Sequence, residues 1–511
     1  MPKMTTNSLS GIFSRAALVG VTLLAATFTA QAFTYYVDAN AGSDRNAGTS
    51  PNAPWQNCPG MTAYAGPGLL RPGDIVYFNR GATWKVSGLQ GLYLTGGVTY
   101  VGNAWGSGTG KAHLTANSDL ECGVVRFRDD RSYPTVFEGF NVDANRKVTS
   151  GVDINHARWT LMDGATKRVQ DCEIHHTWSR TSLGQYKYGL IVSNHGGRGG
   201  YAENVEIIRC VVHDTSRDAL CLYPGDENAD CRIKNITVQG CEVYNTGQDP
   251  DFGAGSGILA KGYVQNAVIE YNYVHDTHGA LVFLDSNETN HFGFGLLNIH
   301  VRYNILTGNT VHGAIRLYSP SSGSDPKDIK VYGNLVFNNP TGFYLGSDVG
   351  NTVSLLVYNN TFYNAPALID NSRAKFTAFE FKNNLLYQNG GMPLTDNYGR
   401  LAAHSNNLFY RPDGGTLVRS NGLNYSATNL IHSYEPSASV SNPQFRNVAN
   451  LPTGFAGTYR VNLAPNRDGL NLRSGSPGIN NGIALSSAFA GSINSIGRPA
   501  GGRWDLGAYE Q

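Results

Sequence analysis

The sequence predicts an all-β fold, a single parallel β-helix with a cap at each end. Three observations predict it: a repeated two-strand unit, one small residue at the joint of every unit, and loops that lengthen without disturbing the unit. The repeat is plainest between Asn204 and Asn339, where the chain reads VEIIRCVVHDTSRDALCLY, ITVQGCEVYNTGQD, AVIEYNYVHDTHGALVFL, IHVRYNILTGNTVHGAIRLY and IKVYGNLVFNNPTGFYLG. Each unit is a β-branched strand, a single Cys or Asn, a second short strand ending in an aromatic or His, and a polar turn. The joint residue can be followed outward through Asn141, Cys172, Cys210, Cys241, Asn272, Asn304, Asn334, Asn360, Asn384 and Asn407. Its steps vary from 23 to 38 residues, too irregular for a helical repeat of fixed length and natural for stacked β-coils with variable loops. Coils stack about 4.8 Å apart. A buried amide at one corner can therefore bond to the coils above and below it, and Cys is small enough for the same niche.

Composition agrees and sets limits. Hydrophobic residues make up 41% of the chain, charged ones 15%, and there are 61 Gly and 28 Tyr, which fits a strand-and-turn protein and excludes a disordered one. The net charge of +1 excludes a broad basic field for nucleic acid, so an anionic ligand must be held by local charges. Lys3, Arg15, the apolar run Ala16 to Phe28 and Ala30-Gln31-Ala32 read as a cleaved secretory signal over residues 1–32. The apolar run is shorter than the roughly 20 residues of a membrane span. A soluble exported monomer is expected, periplasmic or secreted. Of the seven cysteines, Cys221 and Cys231 flank LYPGDENAD and can close it as a disulfide, Cys58 and Cys122 are a second possible pair, and Cys172, Cys210 and Cys241 read as buried thiols.

Residues 33–135 are expected to form the first cap and early coils, 136–415 the coils proper, and 416–511 a Gly-, Asn- and Ser-rich segment over the far end. Such caps cover edge strands that would otherwise template aggregation. The opening YYVD-x-x-x-GSD-x-x-x-GTS-x-x-x-PW, then PGDIVYFNRGATW, and the ending GSPGINNG with SIGRPAGGRWDLGAYEQ resemble the two ends of exported bacterial proteins of the pectate-lyase-like superfamily. The resemblance implies a single-stranded right-handed parallel β-helix. It implies no one reaction, because the superfamily holds lyases, hydrolases, epimerases, tailspikes and adhesins.

The long insertions TWSRTSLGQYKYG, SNHGGRGGYAE, PGDENAD, GQDPDFGAGSG, DSNETNHFGFG and SPSSGSDPKD fall between Cys172 and Asn334, so the groove is expected at about residues 172–330. Within it Lys261 ends a strand otherwise made of Gly, Ile, Leu and Ala, aligned with Ser193, Tyr223, Phe283 and Leu317 on neighbouring coils. Such surroundings disfavour a charged lysine and suit it to abstract a proton. The segment is similar to the catalytic coil of lyases that cleave alginate or dermatan, which implies Lys261 as base and Arg316, in HGAIRLY, as a substrate-binding residue. Two features of those lyases are missing: GALVFLDSN lacks their second arginine, and their calcium-holding acidic pair reads Ala254 and Ser256 here.

Arg180 and Arg217, in HHTWSRT and HDTSRDA, form a two-guanidinium patch for carboxylates or sulfates. His213 and His275 are candidate acids for the leaving oxygen, but their column becomes Phe337, Tyr363, Tyr387 and Tyr410 further on, which reads equally as a stacking corner. His176, Asp214, Asn245 and Asp276 read as turn formers. Tyr188 and Tyr223, with Tyr186 and Phe292, are candidates for stacking on sugar rings, and Asp251 for binding substrate. Asp218, Asp249 and Asp251, or the loop acids Asp226, Glu227 and Asp230, are candidate calcium ligands. The expected function is β-elimination on an acidic, uronate-containing polysaccharide. Its rivals are a glycoside hydrolase using Asp218 with Asp251 or Asp285 and a non-catalytic carbohydrate-binding rod.

Overall fold

The computed structural model describes residues 31–511 apart from 90, 121–122, 128–132, 156–164, 179–187, 194–200, 226–231, 250–254, 288–294, 310, 371 and 402. Residues Ala32–Gln511 form one compact unit. Among the described residues three long sheets run its length: a first from Thr34–Val37 to Ala403–Ser405, a second from Thr83–Val86 to Leu408–Tyr410, and a third from Leu92–Leu94 to Leu423–Tyr425. Each coil gives one strand to each sheet in turn, as Val264–Glu270, Tyr273–Thr277 and Val282–Asp285 do. Neighbouring coils pair in parallel. Alternation along each strand divides inside from outside: Ile258, Ala260, Val282, Leu284, Ile315 and Leu317 fill the core, leaving Leu259, Phe283 and Arg316 on the outer face.

The corner between the first and second sheets is an amide ladder. The side-chain N–H of Asn272 donates to Oδ1 of Asn304 at 3.0 Å and to the carbonyl of Val238 at 3.0 Å, and its backbone N–H also donates to Asn304 Oδ1. The same pattern continues through Asn334, Asn360, Asn384 and Asn407 and ends on the buried carboxylate of Glu435. Cys241, Cys210 and Cys172 continue it in the other direction with Sγ contacts of 3.6–3.7 Å to backbone carbonyls. Asn141, read as a rung, is one residue out. Phe140 takes the corner, stacked on Phe137 at 4.2 Å, and Asn141 pairs in the second sheet with Glu173. Cys58 and Cys221, each one half of a disulfide the sequence allowed, are buried free thiols; Cys122 and Cys231 lie outside the described residues.

A second ladder had no counterpart in the sequence reading. Asn204, Asn235, Asn266 and Asn298 sit inside first-sheet strands with φ between 52° and 58°, a left-handed bulge that Asn tolerates better than most residues. Their side chains form a surface chain of 3.0 Å bonds.

The opening motif is a set of clasps. Asp44 accepts the backbone N–H groups of Gln56, Asn57 and Ala65; Asp74 accepts those of Phe33 and Arg71. Gly48 has φ 74° and no room for a side chain, because a Cβ would stand 2.4 Å from the ring of Trp55.

The C-terminal segment covers more than the far end. Leu430 enters the core and Glu435 closes the ladder, but the chain then returns along the side of the rod. Gly507 donates to Asn383 O, Ala508 to Thr361 Oγ1, and Tyr459 to Glu270. An ion pair holds this return together: Arg498, fully buried, reaches Glu510 at 2.7 Å and donates to the carbonyls of Asp505 and Gly507. Arg498→Met should cost about 3–5 kcal/mol, since it leaves Glu510 buried without its countercharge; a denaturant titration measures it, and a loss below about 1 kcal/mol would refute the assignment. Among the described residues no helix is long and apolar enough to cross a membrane.

Candidate functional site

The outer face of the third sheet gathers Lys261, Arg316, Tyr188 and Tyr223 of the expected residues. Strand pairing sets Tyr223, Lys261, Asp285 and Tyr318 side by side on successive coils, since Leu222 pairs with Ala260, Lys261 with Asp285, and Asp285 with Tyr318. Of the neighbours expected for Lys261, Ser193 and Tyr223 are in its column, and Phe283 and Leu317 are not. Both are out of register, and a shift of register re-aims every contact. Phe283 belongs to the adjacent outward column with Leu259 and Arg316, and Leu317 points into the core. Lys261 therefore stands next to a carboxylate rather than among apolar side chains only, and its Nζ lies 4.8 Å from the centre of the Tyr223 ring.

Apolar packing supports this row. Tyr188, Ile191, Cys221, Tyr223 and Leu259 form a buried cluster on the outer face, with Phe283 against it. Burial raises the Tyr188 phenol and the Cys221 thiol well above their ordinary pKa values, and Cys221 feels the charges of Asp218, Arg217 and Lys261. Arg217 senses Asp218, Tyr188 and Tyr223 in the same way, so these groups share one electrostatic neighbourhood. Arg316 closes the other end. Its guanidinium lies 5.0 Å from the ring centre of Phe283, 5.3 Å from Tyr318 and 5.9 Å from Tyr344, and it pairs with Asp348 at 2.6 Å. Cation–π contacts of this kind hold the charge in place while the rings shield it.

Other expected residues are used differently. Asp218 is buried, accepts the N–H of Ser256 at 2.8 Å and lies 3.3 Å from Arg217 Nε. A guanidinium thus stands beside the Asp218 carboxylate, and Asp249 is buried. Asp218 fails as a glycosidase partner of Asp285. Two coils and five residues along the strand separate them, roughly 15–20 Å at Cα, against about 5–10 Å for paired carboxyls. Arg180, Tyr186, Asp226, Glu227, Asp230, Asp251 and Phe292 lie outside the described residues, as do residues 1–30 of the expected signal.

His213 and His275 stand on the second sheet, not the third. They belong to a stack of His175, His213, Tyr244 and His275 with ring centres 4.8–5.0 Å apart. The Nδ1–H of His213 donates to Asp214 at 2.7 Å and that of His275 to Asp276 at 2.8 Å, so both rings are held in the corner. One acid was missed. Asp153, 3.8 Å from Arg126, is pushed up to about 6 by burial; a lone Asp in SGVDIN carries no sequence signal for this. A cleft of about 410 Å³ against the first sheet has its charges paired, Arg168 with Glu206 and Arg302 with Glu270.

A family model described as a right handed beta helix region matches residues 161–362, the coils that carry this site. The chain is a right-handed parallel β-helix. No curated protein matches it in sequence. Among solved structures it is similar to the pectate lyase Pel9A, at 15% identity over 94% of this chain and 96% of the other, with a TM-score of 0.48. It is also similar to a GH136 lacto-N-biosidase from Eubacterium ramulus, at 17% over 76% and 65% with a TM-score of 0.45. A third is the A-module of the mannuronan C-5 epimerase AlgE4 from Azotobacter vinelandii, at 14% over 72% and 91% with a TM-score of 0.36.

Proposed function

We propose that the protein is an exported carbohydrate-active β-helix that cleaves a uronate-containing polysaccharide by β-elimination on the outer face of its third sheet. The supporting observation is the row itself: Lys261 beside Tyr223, with Arg217 on one side and Arg316 about 10 Å along the rod, two coil spacings away. A lysine beside a phenol, with Arg217 set back along the strand direction and Arg316 further along the rod, suits an anionic sugar chain bound on this face.

In the reaction an arginine pairs with the uronate carboxylate, which stabilises the negative charge that develops when the C5 proton leaves. Lys261 in its neutral form takes that proton. Electrons from the C5–H bond form the C4–C5 double bond as the C4–O bond breaks, and the leaving oxygen receives a proton from the Tyr223 hydroxyl. His213 and His275 take no part, because they face out from another sheet. Asp285 stands in register with Lys261; because the base must be neutral to accept the C5 proton, the rate should rise with pH.

Incubation of the mature protein with polyuronates and glycosaminoglycans tests the proposal. The expected result is growth of the ultraviolet absorbance of an unsaturated uronate, undiminished by a chelator because arginines neutralise the carboxylate. New reducing ends without that absorbance would mean hydrolysis and overturn it.

A further inference from the structure

Away from the groove, on the outer face of the second sheet, two imidazoles and a carboxylate converge. Strand Phe140–Asp143 pairs with Glu173–Thr177 so that His175 lies opposite Asp143. Consecutive strand residues normally point to opposite faces. His176 has φ 56°, which breaks the alternation and brings its ring beside that of His175, 4.5 Å between centres at 78°. The two Nδ1 atoms are 2.6 Å apart, and Asp143 Oδ1 lies 3.2 Å from the second and 3.6 Å from the first.

The surroundings prepare His175 as a donor of electrons. Its Nε2–H donates to Asn141 Oδ1 at 3.0 Å, so in the neutral ring the lone pair is on Nδ1, facing His176 and Asp143. A metal-bound imidazole is typically held in this way, its far N–H fixed by an oxygen. We propose that Asp143 Oδ1, His175 Nδ1 and His176 Nδ1 form a binding site for a divalent transition ion of the zinc type. Two imidazoles with one carboxylate select such ions over calcium or magnesium, which prefer all-oxygen shells, and three protein ligands leave a fourth position for water. Bonds of about 2.0–2.2 Å to a tetrahedral ion set ligand atoms about 3.3 Å apart. Two of the three edges here straddle that value, and the third must open by about 0.7 Å, which a small rotation of either ring supplies.

At the left-handed position of later coils stand Asp214, Asn245, Asp276, Asn338 and Asn364, and among the described residues no other His, Cys, Asp or Glu group converges this closely. Without an ion the same atoms can form a plain hydrogen bond from His176 Nδ1–H to His175 Nδ1, and experiment separates the two readings.

The mature protein, stripped with chelator, is titrated with Zn2+ by calorimetry and with Co2+ by visible absorption. One equivalent of each should bind, Co2+ should give the intense bands of a low-coordinate site, and Zn2+ should raise the melting temperature. His176→Asn keeps a residue at ease with positive φ and should abolish all three effects; Asp143→Asn should weaken binding strongly, and Asn141→Ala about 10- to 100-fold. No binding by the wild type would overturn the site, as would undiminished binding by His176→Asn. Should one variant fold poorly, the other two decide.

Discussion

Lys261→Ala should lower kcat for elimination by about 10²- to 10⁴-fold, the range for a lost general base, and leave the melting temperature within a degree or two of wild type. The substitution removes a half-buried side chain from the outer end of strand Ile258–Lys261 and touches neither the core nor a ladder. Its cost therefore falls on the reaction. Tyr223→Phe should lower kcat with little change in KM, because the ring that packs beneath Lys261 is kept and only the hydroxyl is lost. Steady-state kinetics on a uronate polymer that the wild type cleaves would measure both. Full activity in Lys261→Ala would remove the lysine from the mechanism.

Asn304→Leu should destabilise the fold by about 4 kcal/mol. Oδ1 of Asn304 is the acceptor for both the backbone and side-chain N–H of Asn272, and its own amide serves Ile269 O and Asn334 Oδ1. Leucine would leave two buried donors without partners, at about 1–3 kcal/mol each. Asn266→Gly provides the contrast. It is exposed, its φ of 52° suits glycine, and losing its surface bonds should cost under about 1 kcal/mol. Denaturant unfolding of the two variants would separate the buried ladder from the surface one, and equal costs would refute the distinction.

The buried ladder was legible because each rung follows a β-branched strand and is small or amide-bearing, so the spacing noise of the loops did not hide it. Asn141 misled because it has the right residue type one place late, and only pairing with Glu173 shows that Phe140 holds the corner. The surface ladder was invisible for the opposite reason: Asn is common in turns, and nothing in the letters marks a left-handed residue inside a strand. Lys261 stood out as a lone charge in an apolar strand, but its neighbours depend on register between coils, which loops of unequal length disguise. The meeting of His175, His176 and Asp143 needed both the backbone twist at His176 and the same register. Sequence reading put His176 in a turn, whereas it lies inside strand Glu173–Thr177 with a left-handed backbone.

The return of the C-terminal segment changes how such a rod comes apart. Stacked coils held only by their neighbours can fray from an end, one coil at a time, because each coil's loss leaves the rest intact. Here the segment after Glu435 is fastened back to Asn383, Thr361, Tyr271 and Glu270, contacts that span up to 221 residues of chain. The last coils cannot peel away without also tearing this strap from the middle. Unfolding from that end becomes a concerted event with a high barrier, a form of kinetic protection.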